Sequence, residues 1–182
     1  MKVLVTGANG FVGKVLCRYL KVNNIPLRAG VRKACADTEV SYGELNENTN
    51  WTDILKGCDS VVHLAARAHI MNESEKDPEA IYKKMNTAVT IQLAQACLRA
   101  QIRKFIFISS IKVNGEGTLT GQTFQPQLDT FPNDPYARSK LEAEKQLLRL
   151  HQPGVFEVVI IRPPLIYGPE VKGNLKSLLK AL

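Results

Sequence analysis

The sequence is poor in the features that would take it out of the ordinary class of folded domains. Its 182 residues contain no apolar run near the ~20 needed to cross a bilayer as a helix. The amino terminus opens directly on a strand-like segment, Met1-Lys2-Val3-Leu4-Val5, rather than on the charged and apolar regions of a secretory leader. The expectation is a cytoplasmic protein with no membrane partner. Cysteine is scarce and scattered: Cys17, Cys35, Cys58 and Cys97 stand singly, with no Cys-x-x-Cys pair and no closely spaced histidine. That excludes a disulfide framework and a zinc site, and leaves free thiols and no metal. Basic residues outnumber acidic ones, 24 to 17, but no run of five or more occurs. The net charge of +7 therefore reads as a solvated surface that favours anionic small molecules, not as a nucleic-acid footprint. A hydrophobic content of 45% suffices for a sizeable core and excludes a disordered chain.

Four apolar runs without polar alternation are present: Val3 to Thr6, Ser60 to Leu64, Lys104 to Ser109 and Phe156 to Ile161. Strands buried on both faces have this pattern. Helix-period segments lie between them, over Phe11 to Val22, Pro78 to Ala100 and Pro135 to Leu150, the last opened by the capping signal Asn133-Asp134-Pro135. Weaker strands fall at Pro26 to Val31 and Glu39 to Tyr42. Alternating strands and helices predict an α/β fold, a doubly wound parallel sheet of about six strands in the order 3-2-1-4-5-6. Two long loops, Arg67 to Asp77 and Ile111 to Asn133, follow the fourth and fifth strands and should overhang a crevice at their carboxyl ends.

The first strand runs into Thr6-Gly7-Ala8-Asn9-Gly10-Phe11-Val12-Gly13, with glycines three apart at the entry to a helix. Gly7 can take the tight turn, Gly10 lets backbone N–H groups approach a pyrophosphate, and Gly13 lets the helix pack closely on the sheet. The helix amino terminus then favours the anion. Together these describe an NAD(P)-binding Rossmann fold. After the second strand stands Gly30-Val31-Arg32-Lys33, with no carboxylate to accept the ribose hydroxyls of NAD. Arg32 suits a 2′-phosphate through bidentate hydrogen bonds, so NADP is expected ahead of NAD.

Tyr136-Ala137-Arg138-Ser139-Lys140 places a phenol and an ammonium one turn apart on one helix face. A free phenol titrates at about 10, and proton exchange near neutrality asks a nearby cation to lower it by about 3 units, roughly 4 kcal/mol, with Lys140 together with an oxidised nicotinamide ring as the candidate source. Ser109-Ser110 ends the fifth strand, where hydroxyls of an open α/β sheet point into the crevice. A hydroxyl donor, a proton-transfer group and a cation are what hydride transfer to a carbonyl requires.

On these residues the sequence resembles the extended short-chain dehydrogenase/reductase family, in its nucleotide-sugar branch of 4-epimerases and 4-keto-sugar reductases. The matching segments are the glycine turn, His63-Leu64-Ala65-Ala66, Asn86, Ser109-Ser110, Tyr136-x-x-x-Lys140 and Arg162-Pro163-Pro164-Leu165-Ile166-Tyr167-Gly168-Pro169. The resemblance implies that Ser110 bonds the substrate oxygen, that Tyr136 is the acid/base, and that Lys140 lowers its pKa and holds the nicotinamide ribose. It further implies a cofactor site made from Gly7, Asn9, Gly10, Phe11, Val12, Gly13 and Arg32, with Glu44 and Leu45 by the adenine. Leu64, Ala65 and Ala66 come near the pyrophosphate, Asn86 beside the fourth strand, Ser109 at the fifth, and Pro163 near the nicotinamide.

Where dehydratases of the branch carry an acidic pair after the serine, this chain has Ile111-Lys112, which speaks against dehydration. Where epimerases carry Val-Tyr-Gly, it has Val113-Asn114-Gly115. The implied reaction is NADPH-dependent reduction of a 4-keto sugar nucleotide, with an NAD-dependent 4-epimerase as the alternative. A non-catalytic dinucleotide-binding fragment or sensor is the alternative of another class. The resemblance also implies a homodimer through the Pro78 to Ala100 and Pro135 to Leu150 helices. It divides the chain into a dinucleotide-binding domain over 1–168 and, over 169–182, the start of a substrate domain whose bulk is missing.

Overall fold

A computed structural model describes residues 1–36, 38–67, 77–127 and 131–168. Six strands, β1 (Val3–Thr6), β2 (Leu27–Val31), β3 (Glu39–Ser41), β4 (Ser60–His63), β5 (Lys104–Ile108) and β6 (Glu157–Ile161), form one sheet. Its order is β3-β2-β1-β4-β5-β6, with every pairing parallel. Helices α1 (Phe11–Val22), α2 (Thr52–Leu55), α3 (Pro78–Tyr82), α4 (Val89–Arg99) and α5 (Pro135–Leu150) connect and cover it. The strand order expected from the sequence is the one observed. The order reverses between β1 and β4, and their carboxyl ends, Thr6 and His63, lie side by side in register. Ligand crevices of open α/β sheets form at such a reversal.

Side-chain alternation along the strands separates two cores. On one side Leu4, Val61, Phe105 and Phe107 pack with Leu93, Cys97, Leu147 and Phe156. On the other Val3, Val5 and Val62 pack with Cys17 and Leu20 of α1. β1 and β4 are buried at every residue, as their unbroken apolar runs required. β6 departs from the expectation of burial on both faces: it is the edge strand, and Glu157, Val159 and Ile161 are exposed while Val158 and Ile160 are half-buried.

Helix ends follow from local chemistry. α1 closes with Asn24 at φ 54°, its N–H donating to Lys21 and that of Ile25 to Leu20. α4 closes in the same way, with Gln101 at φ 57° and Ile102 donating to Cys97. Both are left-handed caps with an apolar residue tucked behind, formed here without glycine. α5 begins where Asp134 accepts from the Tyr136 N–H at 3.0 Å, ahead of Pro135 in the first turn.

The single helix expected over Pro78 to Ala100 is interrupted. Lys83–Ala88 is a π-helical stretch between α3 and α4, and such a stretch rephases the helix face that follows. The loop expected from Ile111 begins as a 3-10 turn over Ile111–Asn114, capped by the Ser110 hydroxyl accepting from the Lys112 N–H at 3.3 Å. Most of the other expected loop, residues 68–76, lies outside the described residues, as do 128–130 and the expected second-domain start at 169–182. Among the described residues no helix is long and apolar enough to cross a membrane. No metal-ligand cluster is found among them.

Candidate active site

The glycine turn is held by contacts that no other residue would permit. Gly7 sits at φ 69°, and a β-carbon there would lie 2.8 Å from the Ala65 nitrogen, so the turn is pressed against the loop leaving β4. A β-carbon on Gly13 would strike the Gly7 carbonyl and lie 2.8 Å from Ala8 Cα, so α1 rests directly on the turn. Gly10 is the extended residue before α1 and offers no side-chain cap, which leaves the first N–H groups of the helix facing outward.

Above the turn opens a cleft of about 520 Å³. It brings together Gly7, Asn9, Gly10, Arg32, Glu44, Leu45, Leu64, Ala65 and Ala66 from four separate segments, all named from sequence. Phe11 and Val12, in the first turn of α1, are half-buried, and the Phe11 ring lies against Gly168 after β6, 3.8 Å from the place of a β-carbon. The cleft also takes in Tyr42, Arg67, Ile81 and Met85, which the sequence reading missed. Tyr42 accepts a hydrogen bond from the Gly7 N–H at 3.2 Å, and burial raises its phenol pKa. Gly30 lets that ring lie against β2, since a β-carbon there would meet Tyr42 Cε1 at 3.3 Å. Nothing local marks Tyr42, because its partner is 35 residues away.

At the rim Arg32 and Glu44 form an ion pair at 3.6 Å, with side chains 72% and 81% exposed. The carboxylate absent from the end of β2 thus arrives from the segment after β3. Such an exposed pair contributes little to stability and yields readily to another charge.

The three groups expected to react are brought to one region, in an arrangement the sequence did not foretell. Ser110 follows the end of β5, and its hydroxyl hydrogen-bonds the Tyr136 phenol at the start of α5. Lys140, one turn further, is buried beneath β5, with Nζ donating to the Ile108 carbonyl at 3.0 Å and lying 4.6 Å from the centre of the Phe107 ring. Burial pulls its pKa down to about 7, against a smaller upward pull from Glu144. The phenol pKa is raised in the chain by itself, whereas the lowering expected from sequence draws on Lys140 together with an oxidised nicotinamide ring. Burial dominates, the bond from Ser110 opposes it, and Asp134 and Tyr82 add to the rise. The Lys140 ammonium is itself desolvated, which disfavours its charged form. Ser109 is buried with its hydroxyl unpartnered among the described residues, while its N–H donates to Ile161 at 2.8 Å. Pro163 accepts from the Ile111 N–H at 3.0 Å and so joins the segment after β6 to the serine-bearing turn.

Behind these groups runs a buried polar chain whose hydrogens can all be assigned. Thr90 donates its hydroxyl hydrogen to the Asn86 carbonyl at 2.7 Å. Toward His63 Nε2, 3.1 Å away, it can therefore only accept. Nε2 thus carries the ring proton, and Nδ1 accepts from the Thr6 hydroxyl at 2.7 Å. Thr6 in turn accepts from the Ala65 N–H at 3.3 Å. A neutral ring suits full burial, which lowers the His63 pKa to about 3, with Lys140 adding a smaller push in the same direction. From Asn86 the network continues to the catalytic-helix candidate: its amide donates to Ser139 at 3.0 Å, and Ser139 donates to the Tyr136 carbonyl at 2.7 Å. Asn86 also holds the backbone of Arg67, accepting from its N–H at 2.8 Å and donating to its carbonyl at 3.2 Å. Asn86 and Thr87, the latter bonded to the Ser139 carbonyl at 2.9 Å, both sit in the π-helical stretch. π-bulges recur at functional sites.

A second clamp lies at the outer edge. Arg162 reaches buried Glu144 through Nε and the terminal nitrogen, at 3.0 and 2.6 Å, and reaches Asn114 and the Pro126 carbonyl at 3.2 and 2.8 Å. Asn114 also donates to the Gln125 carbonyl at 2.6 Å. The long loop after the 3-10 turn is thereby tied to β6 and α5, an arrangement a tyrosine at position 114 could not supply.

Residues 3–182 match the family described as the NAD dependent epimerase/dehydratase family. The chain belongs to this family. Within it, the chain is 43% identical over 182 residues to UDP-glucose 4-epimerase of Vibrio cholerae, a match covering 98% of the chain and 56% of that protein. UDP-glucuronic acid 4-epimerase from Bacillus cereus, in complex with UDP-glucuronic acid and NAD, superposes with a TM-score of 0.83 at 28% identity, over 99% of this chain and 63% of that one. RMD from Pseudomonas aeruginosa complexed with NADPH superposes at 0.75 with 28% identity, over 94% and 56%. The chain spans about half the length of the curated relatives it matches. Solved structures similar to this chain thus include one in complex with NAD and one with NADPH.

Proposed function

We propose that the protein is an NAD(P)-dependent oxidoreductase acting at C4 of the hexose of a nucleotide sugar, and that it reduces a 4-keto sugar nucleotide with NADPH. The observation that carries the reading is the hydrogen-bonded Ser110–Tyr136 pair at the carboxyl edge of β5, beside a cleft built on the glycine turn. Gly7, Asn9, Gly10 and Gly13, with Phe11 and Val12, would cradle the pyrophosphate against the outward N–H groups of α1. Leu64, Ala65 and Ala66 close its other side, Glu44 and Leu45 flank the adenine, Pro163 borders the nicotinamide half, and buried Asn86 and Ser109 support the site from beside β4 and β5. When bound, the cofactor supplies the hydride. Ser110 would hydrogen-bond the ketone oxygen and Tyr136 would hand it a proton. Burial raises the phenol pKa, so the proton would leave only as negative charge develops on the ketone oxygen beside it. Lys140 would hold the ribose and replace the charge of the lost proton.

Arg32 at the rim supports NADP through its guanidinium. A second reading, an NAD-dependent 4-epimerase, is favoured by the 43% identity to the Vibrio cholerae UDP-glucose 4-epimerase and by Glu44, which could accept ribose hydroxyls. Turnover of a 4-keto sugar nucleotide by the full-length protein separates the two. Stoichiometric loss of NADPH absorbance is expected, abolished by Tyr136→Phe. Interconversion of C4 epimers on a tightly retained NAD, with no net NADPH loss, would instead establish the epimerase. Activity untouched by Tyr136→Phe removes the assigned acid/base. We further propose that residues 169–182 begin the substrate domain and that the protein works in the cytoplasm as a homodimer through the Pro78 to Ala100 and Pro135 to Leu150 helical segments. Sedimentation giving only monomer would remove the dimer.

A further inference from the structure

Ser110 and Tyr136 stand on different elements, 26 positions apart in the chain numbering, so something must hold the turn after β5 against the start of α5. The Asp134 side chain touches both. Its Oδ1 accepts from the Tyr136 N–H at 3.0 Å and thereby caps α5. Its Oδ2 accepts from Lys112 Nζ at 3.2 Å, and Lys112 lies in the 3-10 turn whose cap is Ser110 itself. The Lys112 N–H donates to Ser110 Oγ at 3.3 Å, which turns the serine's own hydrogen away from its turn and toward the phenol. The ion pair is largely shielded, the two side chains being 33% and 15% exposed. It is therefore screened less than a surface pair.

We propose that Lys112 is a positioning residue for the Ser110–Tyr136 hydroxyl pair, acting through Asp134: one carboxylate joins the serine-bearing turn to the tyrosine-bearing helix, and the ammonium cancels that carboxylate's charge beside the phenol. The proposal rests on the reading of these hydroxyls as the reacting pair. Other groups around the phenol differ in kind. Tyr82 of α3 meets it edge-on at 5.9 Å between ring centres, and Arg67 lies over the far ring at 5.8 Å. Arg138 of α5 is bonded to Glu79 of α3 at 3.0 Å, and Lys140 is engaged with Ile108. Asp134 is the carboxylate that raises the phenol pKa, and Lys112 is the cation bonded to it.

The test is the ultraviolet titration of the Tyr136 phenol in the full-length protein, isolated by subtracting the spectrum of Tyr136→Phe, for Lys112→Met, Asp134→Asn and the double variant, alongside pH–rate profiles. Lys112→Met should raise the phenol pKa by about 0.5–1 unit, the size expected of one uncompensated charge at intermediate distance and dielectric. It should also lower kcat with little change in KM. Asp134→Asn keeps an oxygen for the helix cap and should not show that rise. The double variant should titrate like Asp134→Asn, and Lys112→Arg should restore the parent profile. An unchanged titration in Lys112→Met overturns the proposal, as does a double variant that follows Lys112→Met, or an effect confined to substrate KM. Turnover surviving Tyr136→Phe would refute the catalytic reading instead, a distinct outcome because the titration does not depend on turnover.

Discussion

Replacing His63 by leucine removes the centre of the chain that links the glycine turn to the π-helical stretch, at constant burial. The Thr6 hydroxyl loses its acceptor and Thr90 loses the Nε2–H donor, while Thr90 keeps its bond to Asn86. A hydrogen bond contributes about 0.5–1.5 kcal/mol net, and a buried donor left unpaired costs about 1–3 kcal/mol, so the loss is about 3 kcal/mol. In a domain of this size that corresponds to a fall in Tm of about 6–12 °C. His63→Gln, which can still donate toward Thr90, should lose about half as much. A pH signature goes with it. The ring is neutral when folded down to about pH 3 but takes up a proton near 6.5 when unfolded. The unfolded state therefore binds more protons in that window. His63 imposes no penalty above 6.5, and the penalty grows as pH falls toward about 3. Between pH 6 and pH 5 the parent protein should lose about 1 kcal/mol that His63→Gln does not lose. Denaturant midpoints of both proteins across this range measure it. Parallel pH curves for the two, or a Tm change under about 2 °C in His63→Leu, would refute the assigned neutral Nε2–H ring.

Gly13→Ala puts a β-carbon onto the Gly7 carbonyl and Ala8, backbone that cannot swing aside. We expect a loss of stability of about 1–3 kcal/mol and loss of dinucleotide binding by calorimetry. Arg162→Met leaves the buried Glu144 carboxylate unpaired and should cost about 3–5 kcal/mol, largely recovered by adding Glu144→Leu; thermal unfolding of the single and double variants measures this. Arg32→Ala should weaken NADPH binding about tenfold or more, a loss near 1.4 kcal/mol, while NADH binding changes little; fluorescence titration of both cofactors reads the difference.

Much of the architecture was legible because it is written in short-range pattern. The glycine spacing, the apolar runs and the Asn133-Asp134-Pro135 signal each depend on neighbours within a few positions. They placed β1, α1 and α5 at their observed bounds. Gly7, Asn9, Gly10, Arg32, Glu44, Leu45, Leu64, Ala65 and Ala66 fall together around one cleft because they follow strands whose neighbours are fixed by the sheet order, whereas Tyr42, Arg67, Ile81 and Met85 enter it only through packing. The π-helical stretch and the 3-10 turn were not legible. The first keeps the apolar spacing of an ordinary helix, and the second is set by the Ser110 cap rather than by periodicity.

What the sequence by itself determined is therefore the sheet, its order and the identity of the groups at its carboxyl edge, because burial pattern and turn chemistry are local. Tertiary structure alone decided how those groups are used. Lys140 pairs with Ile108 rather than standing free beside the phenol, His63 is held neutral by Thr6 and Thr90, and Glu144 binds Arg162. Each partner comes from a distant part of the chain. A buried polar group takes whichever donor or acceptor the packed elements leave within reach, since going without one in a dry interior costs more than any local preference supplies.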